Sequence, residues 1–340
     1  MTEEVNFVKY RSIEQAYQQI FIRKVREELG PNQRYVVEEK IHGANFSFWV
    51  TGDILQVAKR TGFITPGEEF YNYELVMDKY GEAVRQLAQD IRSTDDTVKT
   101  VVVFGELFGG TYPHPDVDPN RSVKRVAKGV YYTPEREFVV FDLKFVHRDG
   151  TSLYLSVVDR NKWARKHNLP TPVELMEGTL DECLAIDLDR TTKMPERYGL
   201  PSIEGNIIEG VVIRPVQEQY LNGGQRVMLK KKNKQFGEVR PVKKHTPRRE
   251  KTGEEEMLLE ELKRYVTSQR YEGLLSKHGS ISNQDKLAGL YVQDVLEDYQ
   301  KDGGKLDQLS KEEQKAVKRS LASHVKELMG REGWVTLHEM

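Results

Sequence analysis

The run VVEEKIHGANFSFWV, residues 36–50, sets Lys40, His42, Gly43 and Asn45 between two apolar stretches. Glycine or asparagine suits a tight turn for backbone reasons, but a turn has no need of a lysine or a histidine. A lysine is protonated in neutral water and attacks nothing. It becomes a nucleophile where burial or nearby cations favour the neutral amine. Candidate cations are Lys59, Arg60 and the run Lys230, Lys231 and Lys232. Two carboxylates stand at the ends of apolar runs, Glu106 in VFGELFGG and Glu209 in EGVVIRP. In VMLKKKN, Lys230 and Lys232 share one face of a strand because strand side chains alternate with period two. Two lysines on an inner strand face suit a polyanion. Each residue also has a plain structural use: Lys40 as an exposed strand end, Gly43 as a turn, Phe141 in VVFD as a core aromatic.

The elements that must position these groups read as follows. A helix is predicted over 12–29, with Ser12 as N-cap and Gly30 as stop. RYVVEEK, NFSFWV and ILQVAKR read as strands joined by tight turns, the first at Lys40–Gly43 and the second at Thr51–Asp53, so the segment is hairpin-rich. A long helix over 68–93 precedes three β-branched or aromatic strands, VVVFGELF, EFVVFDLKFVH and SLYLSVV, with the Pro-rich loop TYPHPDVDPN between the first two. IIEGVVIRPV and RVMLKKK are two further strands. The chain then turns polar and charged, which predicts a basic linker over 241–255. Beyond it MLLEELKRYVTSQRYEGLL, KLAGLYVQDVLEDYQ and KEEQKAVKRSLASHVKELM repeat apolar residues at helical spacing. The fold class is α+β over 1–240, followed by an all-helical domain over 256–340.

Composition narrows the class without naming a chemistry. Of 340 residues, 38% are hydrophobic and 31% charged, and the net charge of −1 hides basic clusters at 123–128 and 228–251. Those clusters suit a polyanion, or a solvated surface. No apolar run reaches the ~18 residues of a membrane span, so no membrane partner is expected. The start, MTEEVNFVKYRSIEQ, lacks a leader pattern, and the lone Cys183 excludes an internal disulfide and a Cys-based zinc site; both predict a reducing, cytoplasmic setting. Cys183 reads as a small buried hydrophobe.

Taken in order, the Lys-x-His-Gly-x-Asn string at 40–45, the carboxylate of FGEL, the aromatic of VVFD, the Glu-Gly of EGVV and the paired lysines resemble the covalent nucleotidyltransferases. Within them the chain is most similar to the phage RNA ligase 2 family, with the trypanosome RNA-editing ligases. EKIHGANFS is the discriminating string, because DNA ligases and capping enzymes carry Lys-x-Asp-Gly there. A DNA ligase would also follow with an OB-fold of short strands, where this chain reads as helical. The resemblance implies a nucleotidyltransferase domain of antiparallel sheets flanked by helices, ATP as substrate, and Mg²⁺, or Mn²⁺ in its place. Lys40 would carry AMP, pass it to an RNA 5′-phosphate, and AMP would leave when a 3′-hydroxyl attacks. Glu106 would hold the ribose and Phe141 stack on adenine, while Glu39 would read adenine through its backbone and Ile41 would be nucleotide-binding. Glu209 would bind the metal, and Lys230 and Lys232 would neutralise the α-phosphate and favour the neutral amine of Lys40, with Lys231 facing away. Arg60 and Lys59 would meet phosphate or RNA, and His42 and Asn45 the triphosphate. Asp142, Arg270 and Asp294 would serve RNA engagement. The implied partner is nicked duplex RNA or an RNA/DNA hybrid, with no obligate protein partner; single-strand joining and an inactive RNA-binding relative are the alternatives.

Overall fold

The computed structural model describes residues 6–237, 254–279, 281, 283–332 and 334. The chain divides into two compact units, Met1–Gln235 and Phe236–Met340. The expected linker lies almost wholly outside the described residues, as does most of the basic run at 228–251. Among the described residues no helix is long and apolar enough to cross a membrane.

The first unit holds β1 (Glu14–Gln15), α1 (Gln19–Leu29), β2 (Tyr35–Glu39), β3 (Ala44–Thr51), β4 (Ile54–Lys59), β5 (Gly62–Phe63), α2 (Tyr73–Thr94), β6 (Val98–Gly109), β7 (Arg136–His147) and β8 (Ser152–Tyr154). It continues through α3 (Val157–Lys166), β9 (Glu174–Gly178), α4 (Leu180–Leu184), β10 (Gly210–Pro215) and β11 (Leu229–Lys232). Two sheets form, of order β1-β11-β10-β2-β9 and β5-β4-β3-β6-β7-β8. Every pairing is antiparallel except that of β1 with β11.

Period-two alternation decides what each face meets. In the six-stranded sheet Phe46, Phe48, Val50, Val101 and Val103 face α2 and bury its Val76, Val84 and Leu87. The other face carries Trp49, Val102 and Phe104 and meets Tyr10 of the N-terminal segment. In the five-stranded sheet Tyr35, Val37, Val211, Ile213 and Leu229 pack with Phe21, Ile22 and Val25 of α1 and Leu180 and Cys183 of α4. Cys183 is the buried small residue its context suggests.

Three expectations are corrected. No hairpin joins β2 to β3. Both edges of β2 are taken by β9 and β10, and both edges of β3 by β4 and β6, so the two strands lie in different sheets. Residues 40–43 therefore cross from one sheet to the other instead of turning back. The first helix starts at Gln19, because Glu14 and Gln15 pair with Leu229 and Lys230 as a strand. SLYLSVV is strand only to Tyr154; the Ser156 side chain accepts from the Asp159 amide and starts α3.

The second unit is helical, with α5 (Glu254–Lys263), α6 (Ser268–His278), α7 (Gln284–Lys301) and α8 (Lys311–Arg331). The stretch expected as one helix breaks before α6, where the Thr267 side chain accepts from the Arg270 amide as N-cap. Leu262, Val266, Leu274, Tyr291, Val295, Leu321 and Val325 form its core.

Candidate active site

The crossing from β2 to β3 delivers Lys40 to the space between the sheets. Its amide donates to Gly210 O at 2.9 Å, so Lys40 continues the strand past Glu39. Gly43 is required by packing: a Cβ there would lie 2.2 Å from Leu107 O of β6 and 2.9 Å from Glu106 Cγ. The glycine lets the crossing segment press against β6, whose Glu106 pairs with Asn45 in the ladder.

Glu209, at the entry to β10, is the centre of the arrangement and is 1% exposed. Its Oε2 accepts from Lys40 Nζ at 2.7 Å, its Oε1 lies 3.2 Å from Lys232 Nζ, and His42 Nδ1 stands 3.6 Å away. Burial pushes the Glu209 carboxyl up, but Lys40, Lys232 and His42 outweigh it and bring its pKa down to about 2. His42 moves the opposite way. Burial, with Lys40 and Lys232 adding to it against the pull of Glu209, lowers its pKa to about 4, so the imidazole is neutral at pH 7. Its amide donates to the buried Tyr132 hydroxyl at 2.9 Å. The Glu106 carboxyl is raised to about 7 by burial; Glu209 adds to the rise while Lys40 and Arg60 oppose it.

Lys230 and Lys232 share the strand face that looks away from α1 and α4. Lys231 looks the other way, and its ammonium donates to Leu184 O at 2.8 Å and Ile186 O at 2.7 Å. That settles the register of the three lysines by alternation. Glu39, one residue before Lys40, also points behind the sheet. It accepts from Thr192 Oγ1 at 2.5 Å, burial raises it to about 7, and only its backbone shares the side of Lys40. Ile41 is buried. Arg60 donates to Ser12 Oγ at 3.2 Å and acts electrostatically on Glu106. Lys59 pairs with Glu68 on the same rim.

Phe141 occupies a β-bulge. Phe104 pairs with Asp142 and Gly105 with Val140, which leaves Phe141 without a ladder partner. The core face confirms the extra residue, since Phe138 and Val140 before it and Leu143 after it all point at α2's side. The Phe141 ring is half-buried, 5.2 Å edge-on from Tyr10.

Asp142 and Arg270, two of the residues expected to engage RNA, are buried. Asp142 is fully buried and accepts from the Tyr10 hydroxyl at 2.8 Å, from Arg226 and from Arg214 at 3.3 Å. It ties β7 to β10 and so one sheet to the other. Arg270 in the second unit is 1% exposed and donates to Asp294 at 2.5 Å and Asp298 at 2.9 Å. Asp294 also accepts from Lys277. Their side chains staple α6 to α7. Tyr132, Thr192, Arg160 and Arg226 carried no local sequence signal, since each sits in a loop or an unflagged element and is recruited by the fold.

The sequence family described as RNA ligase matches residues 33–232. The chain belongs to the RNA ligase family. The T4 RNA ligase 2 C-terminal family matches residues 249–327. Among curated relatives, the mitochondrial RNA-editing ligase 1 of Trypanosoma brucei brucei is 34% identical over 215 residues, which is 54% of this chain and 45% of that protein. The mitochondrial RNA-editing ligase 2 is 25% identical over 322 residues, covering 79% and 77%. The chain thus spans less than half the length of the first of these relatives. A mutant Naegleria gruberi RNA ligase solved with ATP and Mn aligns with 16% identity and a TM-score of 0.42, over 68% of this chain and 58% of that one.

Proposed function

We propose that this RNA ligase family member is an ATP-dependent ligase that seals 3′-hydroxyl/5′-phosphate nicks in duplex RNA through AMP carried on Lys40. The observation that carries the reading is the convergence of Lys40 and Lys232 on the single buried carboxylate of Glu209. Two ammonium groups on one buried carboxylate, with a third lysine on the same strand face, make a cationic surface suited to a phosphate.

The chemistry needs positioning and charge stabilisation more than acid–base work. Lys40 gives up a proton from its ammonium group to water and attacks the α-phosphorus of ATP as the amine; the N–P bond forms with loss of a second proton, the bond to the β-phosphate oxygen breaks, and pyrophosphate leaves. The RNA 5′-phosphate then attacks that phosphorus, the N–P bond breaks, and AMP sits in a 5′-5′ linkage. The 3′-hydroxyl finally attacks the RNA phosphorus, loses its proton and releases AMP. Glu209, ionised and buried, holds the Lys40 ammonium in place before the nucleotide arrives. Glu106 and the half-buried Phe141 supply a carboxyl for ribose and an apolar face for adenine.

A divalent cation fits this donor set only together with the nucleotide. Glu209 offers an ionised hard oxygen, yet among the described residues no three His, Cys, Asp or Glu side chains converge. The remaining ligands would be phosphate oxygens and water. When bound, Mg²⁺ supplies charge neutralisation on the phosphates. The preference for a duplex nick rests on the second unit's match to the T4 RNA ligase 2 C-terminal family.

The test is incubation with ATP labelled at the α-phosphate and Mg²⁺, followed by sealing of a 5′-phosphorylated RNA presented as a nick and as a free strand. Label on the 39.4 kDa chain, absent in Lys40→Ala, with faster sealing of the nick, is expected. An unlabelled wild-type chain sinks the ligase reading, and equal sealing of the single strand sinks the nick preference alone.

A further inference from the structure

The bulge that holds Phe141 is gripped by two arginines from outside its sheet. A bulged residue lacks a ladder partner, so its carbonyl must find donors elsewhere. Arg160 of α3 donates to Phe141 O from Nη1 at 2.8 Å, and Arg214 of β10 donates to it from Nη1 at 3.1 Å. Both lone pairs of that oxygen are thereby occupied. Neither guanidinium is free to drift. Arg160 is 0% exposed and also donates to Glu38 Oε2 at 3.0 Å and Oε1 at 2.5 Å, and to Asn161 Oδ1 at 3.0 Å and 2.6 Å. All five of its N–H groups are used. Arg214 is held in turn by Asp142 and by Glu218 at 2.9 Å.

Glu38 gives this grip a direction. It lies two residues before Lys40 on the same face of β2, by strand alternation. One guanidinium therefore spans the strand that presents the lysine and the bulge that presents the aromatic ring. We infer that Arg160, with Arg214 opposite it, is a positioning residue that sets the distance and aim of the Phe141 ring relative to Lys40, and so tunes binding of the nucleotide base. The inference rests on the reading of Lys40 as the carrier of AMP. Arg160 touches no nucleotide itself; it acts through the Phe141 backbone, and that route is testable.

A double-mutant cycle on adduct formation reads it directly, with rates followed across ATP concentrations for wild type, Phe141→Ala, Arg160→Met and the two combined. If Arg160 acts through the ring, Arg160→Met and Phe141→Ala each raise the KM for ATP about tenfold with kcat kept within about threefold. The combined variant then lies within about twofold of Phe141→Ala alone, because the ring it would aim is gone. A merely structural arginine gives effects that multiply, and a KM unchanged in Arg160→Met overturns the inference outright. Arg160→Lys, which keeps the charge for Glu38 but loses the fork, falls between wild type and Arg160→Met. Since Arg160→Met strands the Glu38 charge, Glu38→Met/Arg160→Met runs through the same cycle; it removes the pair without leaving a buried charge. A wild-type chain that forms no adduct removes the Lys40 reading and this inference with it. A labelled wild type with multiplying effects removes this one only.

Discussion

Glu209 and Asp142 are both buried carboxylates of the first unit, both held among basic side chains, and they differ in what is left over. Asp142 and Glu218 face Arg214 and Arg226, two negative charges against two positive, and the two arginine side chains keep only 2% and 9% of their surface. Glu209 faces Lys40 and Lys232, and those lysine side chains keep 21% and 16% of their surface. The bases differ to match. Arginine's planar fork suits a fixed multidentate tie, whereas a lysine ammonium on a flexible stem can exchange one partner for another. The arginine cluster ties two sheets together. The lysine cluster keeps its ammonium groups within reach of an anion.

That contrast can be broken by experiment, and the largest expected effect is on chemistry. Lys40→Ala should lower adduct formation by at least about three orders of magnitude, since no other group can carry the nucleotide, while the urea midpoint moves little. An adduct persisting at a comparable rate would mean the nucleophile is a different residue. The second effect is on stability. Asp142→Ala strands Arg214 and Arg226 and should cost about 3–5 kcal/mol in urea unfolding. Glu209→Gln, by contrast, should cost less than Asp142→Ala because its two lysines reach water, yet it should abolish labelling. Similar losses in the two variants would erase the distinction between the clusters.

A smaller effect is expected in the second unit. Arg270→Met should destabilise it by about 2–4 kcal/mol, as loss of a buried charge-assisted bond, and leave the adduct rate of the natively folded fraction unchanged. Slower sealing of nicked RNA by the folded protein, with the adduct rate kept, would restore Arg270 to the RNA-engaging set. The smallest effect is a pH slope. Glu106 and Glu39 have carboxyls raised to about 7, so the folded chain binds their protons more tightly than the unfolded chain does. Their burial is least costly below the unfolded value near 4.5, and stability should fall as pH rises from there through 7. Glu209 acts with the opposite sign. Its pKa of about 2 adds stability that is complete above 4.5 and is lost as pH falls towards 2. Urea unfolding at pH 5, 6 and 7 should show a shallower decline in Glu106→Gln than in wild type, and an identical slope would reject the raised carboxyl.

Much of this site was legible in the chain because its parts are local patterns. Alternation sorted Lys230 and Lys232 from Lys231, and the Lys231 contacts to Leu184 O and Ile186 O agree. Apolar runs marked most of the strands, and helical spacing marked the second unit. The misreadings share one cause. A pair of strands around a glycine looks like a hairpin whichever sheet each strand joins, because a short run carries no record of which distant edge will claim it. The seven residues taken from the start of α1 tell the same story, since Glu14 and Gln15 become a strand only through β11, more than 200 residues later.

What the sequence determined by itself was the inventory and the local geometry: a lysine at a strand end, two carboxylates, paired lysines on one face, an aromatic strand, a helical tail. Those follow from residue type and from periods of two and 3.6, which neighbours along the chain impose. What only the tertiary structure decided was which charges are open and which are sealed. Asp142 lies beside Phe141 in the sequence and reads as part of the same functional motif, yet the fold surrounds it with Tyr10, Arg214 and Arg226. Arg160 had no signal at all until α3 brought it against both Glu38 and the Phe141 carbonyl. Burial and charge balance are sums over residues far apart in the chain, so they exist only once the two sheets have met.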